Sequence, residues 1–147
     1  MGTERLNFEG KVVVATGVGS GIGAAIADSF AACGATVVGL ERDAEKLNRS
    51  ATRITREGGC FHPILADVSS AEDVAKAFGE INARFPIVDV LVNNVGVEFY
   101  SEFVDITIED WERQIAVNLR SVFLCCSSVV PAMIRMQRGC IINTASH

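Results

Sequence analysis

The chain has 147 residues, 49% of them hydrophobic and 21% charged, enough to bury the core of one α/β domain. Its 13 basic and 18 acidic residues leave a net charge of −5 and form no basic block of the kind that draws nucleic acid or an anionic membrane. Met1–Lys11 has no apolar signal region and no uninterrupted apolar run approaches a membrane span, so a cytoplasmic location is expected. Five scattered cysteines without CxxC spacing read as small apolar residues of a reducing compartment, and His62 and His147 are too far apart to suggest a zinc cluster.

Apolar runs and amphipathic stretches then alternate along the chain. Lys11–Thr16 reads as a β-branched strand that stops at Gly17, and Ile22, Ile26, Phe30 and Cys33 recur at helical spacing until Gly34. Thr36–Leu40 is a second buried strand, followed by a helix with the stripe Ala44, Leu47, Ala51 and Ile54 that ends at Gly58-Gly59. Cys60–Ala66 is a third strand, interrupted by Pro63. Ser69-Ser70-Ala71-Glu72 fits a capping box, and Val74, Phe78, Ile81 and Phe85 lie along the helix it would open. Pro86 closes that helix, Val88–Val92 is the fourth strand, and a loop through 96–105 leads to Thr107, a helix cap. One long helix then runs to about Gln137, and Gly139 opens a fifth strand, Cys140–Ala145. The expected fold class is α/β: a Rossmann-type doubly wound parallel sheet in three α/β/α layers, a single domain over 1–147 that stops after the fifth strand.

The first strand runs into Thr16-Gly17-Val18-Gly19-Ser20-Gly21-Ile22-Gly23, inside which a helix begins. Glycines there permit a sharp turn and the close approach of a pyrophosphate to a helix N-terminus, whose free N–H groups and dipole favour negative charge. Turn glycines by themselves are common; this set follows a strand and opens a helix, which favours dinucleotide binding. No GK[S/T] follows, which excludes a triphosphate P-loop. Glu41, 18 positions after Gly23, stands where a carboxylate would accept hydrogen bonds from the adenosine ribose. A solvated loop carboxylate is the plainer alternative.

With these motifs the sequence resembles the short-chain dehydrogenase/reductase family over nearly its whole length. Thr16-Gly17-x-x-x-Gly21-Ile22-Gly23 matches that family's cofactor signature, and Asp67-Val68 is similar to its adenine-contacting pair. Asn93-Asn94-Val95-Gly96 is similar to its Asn-Asn-Ala-Gly motif, Ile115-Ala116-Val117-Asn118 to the region of its active-site asparagine, and Gly139–Ser146 to the strand that delivers its serine. The resemblance implies an oxidoreductase that moves a hydride between NAD(P) and an alcohol or carbonyl substrate, in an enzyme that is a homodimer or homotetramer. It implies cofactor contacts from Gly17, Gly19, Ser20, Gly21, Ile22, Gly23, Glu41, Arg42, Asp67, Val68, Asn94 and Gly96, and catalytic roles for Asn118 and Ser146. Asn93 is expected to be structural, bonding backbone between strands.

Glu41 would repel a 2′-phosphate and Ser20 is uncharged where NADP-dependent relatives often carry a basic residue, so NAD is expected; Arg42 leaves room for NADP. The family's general acid/base is a tyrosine whose phenol, normally titrating near about pH 10, is brought down by a lysine four residues on. No Tyr-x-x-x-Lys occurs in these 147 residues: Tyr100 is the sole tyrosine, and Val104 stands four positions later. The reading therefore expects a polypeptide of this length to be part of a longer enzyme and inactive by itself. Two rivals remain, a non-catalytic dinucleotide-binding module and a Rossmann-type methyltransferase; Asn93–Gly96 and the Ser146 strand speak against the second.

Overall fold

A computed structural model describes residues 6–145. Five strands, β1 (Val12–Thr16), β2 (Thr36–Glu41), β3 (Cys60–Leu65), β4 (Val90–Asn93) and β5 (Cys140–Asn143), form one sheet in the order β3-β2-β1-β4-β5. Every neighbouring pair is parallel. The helices are α1 (Gly21–Ala32), α2 (Ala44–Arg56), α3 (Ala71–Arg84), α4 (Ile108–Ile115) and α5 (Ser121–Met136).

Strand side chains alternate between faces, and each face has its own core. Val14, Val38, Leu40 and Leu91 pack with Val74, Phe78 and Ile81 of α3 and Cys125, Val129 and Met133 of α5. Val13, Ala15, Val37, Val90 and Val92 pack with Ala27 and Ala31 of α1 and Leu47 and Ile54 of α2. Helices on both faces explain why the central strands are apolar throughout rather than alternating. Pro63 is tolerated because β3 lies at the edge of the sheet, where a missing N–H removes no central ladder bond.

Several local expectations are corrected. The buried stripe of α1 is Gly23, Ala27 and Ala31, whereas Ile22 is 66% exposed. The close approach to β1 reserves the buried positions for small residues, while Ile26 and Phe30 of the expected stripe pack half-buried against the same core. The cap of α3 is Ser70, whose hydroxyl accepts the Asp73 N–H at 3.2 Å; Ser69 instead donates its hydroxyl and N–H to Asp67. The long helix is not one regular helix: α4 and α5 are joined by a π-helical turn, Ala116–Arg120. By length and composition, the combined stretch Ile108–Met136 is long and apolar enough to cross a membrane, despite Arg113, Arg120 and Arg135. In this fold Val117, Cys125, Val129 and Met133 give it a buried face on the sheet.

Candidate functional site

At the carboxyl ends of the strands the ladder continues past the sheet. The Gly17 N–H donates to Leu40 O at 2.8 Å, the Ala66 N–H to Glu41 O at 3.0 Å, and the Thr144 N–H to Asn93 O at 2.9 Å. Thr16, 1% exposed, ties β1 to β4: its hydroxyl oxygen accepts the N–H groups of Asn94 at 3.0 Å and Val95 at 3.3 Å. These bonds bring the loops after all five strands to one edge. Gly17 turns there with φ +71°, and a Cβ on Gly23 would fall on the Gly17 carbonyl oxygen and lie 2.6 Å from Asn94 Nδ2. Glycine at 23 is therefore required for α1 to begin against the end of β1.

The start of α1 differs from the other helix starts. Asp43, Ser70 and Thr107 cap α2, α3 and α4 with side-chain oxygens, and each of those helices has an acidic residue in its first turn. Ser20 makes no side-chain capping bond, and the first turn of α1 holds no acidic residue. The helix therefore presents its first N–H groups with no side-chain cap and no carboxylate of its own first turn competing for them, as an anion site requires. The glycine turn and this helix start together fit a dinucleotide pyrophosphate.

On the β2–β3 side, Glu41 accepts the Gly19 N–H at 3.1 Å through one carboxylate oxygen and the N–H groups of Arg42 and Asp43 at 3.0 and 3.1 Å through the other. Arg42 lies 4.0 Å from Asp67. Burial pushes the Asp67 carboxyl up, but the hydroxyl and N–H of Ser69, with Arg42 and Arg113, outweigh it and hold the group below its ordinary value. Asp67 thus stays ionised and fixed beside the turn.

On the β4–β5 side, the π-helical turn carries Asn118 across the loop after β4. Its Oδ1 accepts the Val97 N–H at 2.8 Å and its Nδ2 donates to Val97 O at 2.8 Å. The amide is satisfied by the loop rather than within the helix, and both bonds fix the backbone just beyond Gly96. π-Helical turns inside α-helices often mark functional sites. Asn93, 5% exposed, is structural by a route other than the one expected. Its Nδ2 donates to Asn143 Oδ1 at 2.9 Å, a side-chain bond between β4 and β5.

These groups line a cleft of about 770 Å³. Gly17, Ser20, Ile22, Gly23, Glu41, Arg42, Asp67, Val68, Asn94, Gly96 and Asn118 all face it. Gly19 and Gly21 shape the turn behind it: a Cβ on Gly19 would come within 2.7 Å of Glu41 Oε2, and Gly21 enters the helix at φ +54°. Thr144 and Ala145 bring the end of β5 to the cleft, while Ser146 lies outside the described residues. Lys46 and Gln114 also line the cleft and were missed from sequence. Gln114 was findable, because it sits four residues before Asn118 on a helical stretch and so shares its face. Lys46 follows from the lean of helical side chains toward the N-terminus, which carries it over the turn.

The sequence model of the short chain dehydrogenase family matches residues 11–147. The chain belongs to this family. Among curated members, D-threitol dehydrogenase of Mycolicibacterium smegmatis is 35% identical over 139 residues, covering 95% of this chain and 54% of that protein. The 3beta-hydroxysteroid dehydrogenase 1 of Eggerthella lenta is 39% identical over 142 residues, with the same coverage of 95% and 54%. The chain thus spans about half the length of these short-chain dehydrogenases. A metagenomic short-chain oxidoreductase in complex with NADP superposes with a TM-score of 0.92 at 38% identity, covering 95% of this chain and 64% of that one. L-sorbose reductase of Gluconobacter frateurii, complexed with NADPH and L-sorbose, gives 0.91 at 30% identity, covering 97% and 54%.

Within the short-chain dehydrogenase fold, Tyr100 is not placed as a base. It is 90% exposed, and its hydroxyl donates to Glu98 at 2.9 Å. That bond raises its pKa, the opposite of what proton abstraction at neutral pH requires.

Proposed function

We propose that these residues form the cofactor-binding half of an oxidoreductase that transfers a hydride between a nicotinamide dinucleotide and a small alcohol or carbonyl substrate. The observation that carries the reading is the junction of Gly17, Gly23 and the uncapped start of α1, where the helix begins so close to the end of β1 that a Cβ on Gly23 would strike the Gly17 carbonyl oxygen. When bound, the dinucleotide supplies or accepts the hydride at its nicotinamide ring. Ser20–Gly23 would hold the pyrophosphate, Glu41, Arg42, Asp67 and Val68 the adenosine, and Asn94, Gly96 and Asn118 the nicotinamide. Asn118 keeps the loop after β4 in register with the π-helical turn, and Ser146 holds the reacting oxygen.

NAD is the favoured cofactor, because Glu41 carries a negative charge where NADP would place its 2′-phosphate. NADP is the second reading: Arg42 and Lys46 line the same end of the cleft, and the two structural relatives above hold NADP or NADPH. A polypeptide of these 147 residues alone binds dinucleotide without turning over, since it carries no Tyr-x-x-x-Lys. The enzyme works in the cytoplasm without nucleic acid or membrane, and associates into a homodimer or homotetramer. Exposed Leu119, Phe123 and Ile134 on the long helix suit such association.

The test is to titrate the purified protein with NAD and NADP and to follow nicotinamide absorbance over a panel of alcohols and carbonyls with the whole enzyme. Tighter binding of NAD and turnover with at least one substrate class are expected. Absence of binding to either dinucleotide would remove the proposal.

A further inference from the structure

We propose that Arg120 is a positioning residue that ties the two arms of the cleft together, so that filling the adenine end steadies the loop after β4 at the other end. The inference rests on the dinucleotide reading above for its ligand, but the tie itself is present in the free protein. One arm is the turn after β3, Asp67–Ser70, and the other is the loop that follows β4. Strands β2 and β1 lie between them in the sheet, so the ladder does not join the arms directly. The π-helical turn spans the gap with two side chains. Asn118 pairs twice with the backbone of Val97 in the loop after β4. Arg120, two positions on and so nearly opposite around the turn, donates from its guanidinium to Ser69 O at 3.1 Å, across 51 residues of sequence. Arg113 of α4 repeats the arrangement. Its guanidinium carbon lies 5.3 Å from the centre of the Phe99 ring, in the loop after β4, and its charge helps to keep Asp67 ionised in the turn after β3.

Both ends of the Arg120 tie are firm. Ser69 donates its N–H and its hydroxyl to Asp67 Oδ1, at 2.9 and 2.7 Å, and the Ser70 N–H donates to Asp67 O at 3.0 Å. The carbonyl that Arg120 grips therefore belongs to a closed turn that also fixes the Asp67 carboxylate. At the other end, the buried Ser121 donates its hydroxyl to Val117 O inside the π-helical turn. A connected set of bonds thus runs from Asp67 through Ser69 to Arg120, and along one short piece of backbone to Asn118 and Val97. A ligand that orders the Asp67 turn is felt at Val97 through this set, and by linkage an ordered loop after β4 favours that ligand.

The experiment reads amide hydrogen exchange at Val97, with and without saturating ADP, a ligand that fills the adenine and pyrophosphate end alone. Arg120→Met, which keeps a long side chain but no donor, and Arg120→Lys, which keeps the charge, are compared with the parent protein. In the free state the methionine variant is expected to speed Val97 exchange about threefold, and the lysine variant less. ADP should slow Val97 exchange about fivefold in the parent, by less in the lysine variant, and not at all in the methionine variant. Slow exchange at Val14, in the core of the sheet, shows that each variant is folded. Equal slowing by ADP in the parent and in Arg120→Met, or unchanged Val97 exchange in free Arg120→Met, would overturn the proposal. If the parent protein does not bind ADP, the dinucleotide reading fails, and the free-state comparison at Val97 still decides whether Arg120 ties the arms.

Discussion

The two ends of the sheet use the same device for different purposes. At the amino end, Asp89 lies just before β4, with its side chain 10% exposed. It accepts the Val12 N–H at 3.0 Å and is neutralised by Lys11 at 3.4 Å and Arg138 at 3.6 Å. Its own N–H and C=O pair with Val12 and Cys140, so one aspartate fixes the start of three strands. At the carboxyl end Glu41 also gathers backbone N–H groups, yet among the described residues no ion pair reaches it. A carboxylate whose charge is cancelled holds a fold together. One left uncancelled at the rim of a cleft is available to a ligand, and the open start of α1 beside it follows the same logic.

The contrast predicts that substitutions at the two ends separate binding from stability. The largest effect is expected for Gly23→Ala, whose Cβ has no room against Gly17 O. It should weaken ADP binding by at least about a hundredfold, roughly 3 kcal/mol, in a calorimetric titration, with the sheet retained by circular dichroism. Asp89→Ala should do the reverse. Leaving the Val12 N–H and two cations without their partner costs about 2 kcal/mol in denaturant unfolding, discounted for the half-exposed cations, while ADP affinity stays unchanged. An equal loss of binding in Asp89→Ala would break the comparison.

Asn118→Ala should cost only about 1 kcal/mol of stability, because the bonds it loses are exposed. In the whole enzyme it should lower kcat about tenfold or more with little change in the KM for dinucleotide. The smallest effect is a pH dependence. The folded-state pKa of Asp67 is depressed, so its contribution is present above the unfolded value of about 3.9 and is lost as pH falls through the lower folded value. Ser69→Ala should therefore lower Tm slightly at neutral pH, and the difference from the parent should disappear in acid. Thiol labelling gives an independent check on burial: Cys60 and Cys140 are exposed, whereas burial, with Cys126 adding to it, pushes the Cys125 thiol up to about 12. Cys125 should stay unmodified in the folded protein under conditions where the other two react.

Much of this was legible because it depends on chain-local rules. The strands, their order of appearance and the glycine turn follow from β-branched runs broken by glycine, and the cleft residues follow because parallel strands deliver their ends to one edge. What the sequence concealed is set by distance in space. Of the stripe expected for α1, Ile26 and Phe30 do pack against the core, but Ile22 faces out, and close packing on β1 puts Gly23, Ala27 and Ala31 in the buried positions. The π-helical turn at Ala116–Arg120 has no composition of its own, and the partner of Asn93 lies 50 residues away on β5. The Glu41 bond to Gly19 is hidden for the same reason, since it joins two loops that meet only after β1 and β2 have paired.

The central claim is that the dinucleotide cradle lies at Gly17–Gly23 and along the carboxyl edge of the sheet. It is tested most directly by titrating isotope-labelled protein with ADP and following backbone amide shifts. The account predicts saturable shifts concentrated at Gly17–Gly23, Glu41–Arg42 and Asp67–Val68, all of them absent in Gly23→Ala. Saturable shifts centred elsewhere, or none at millimolar ADP, would contradict it.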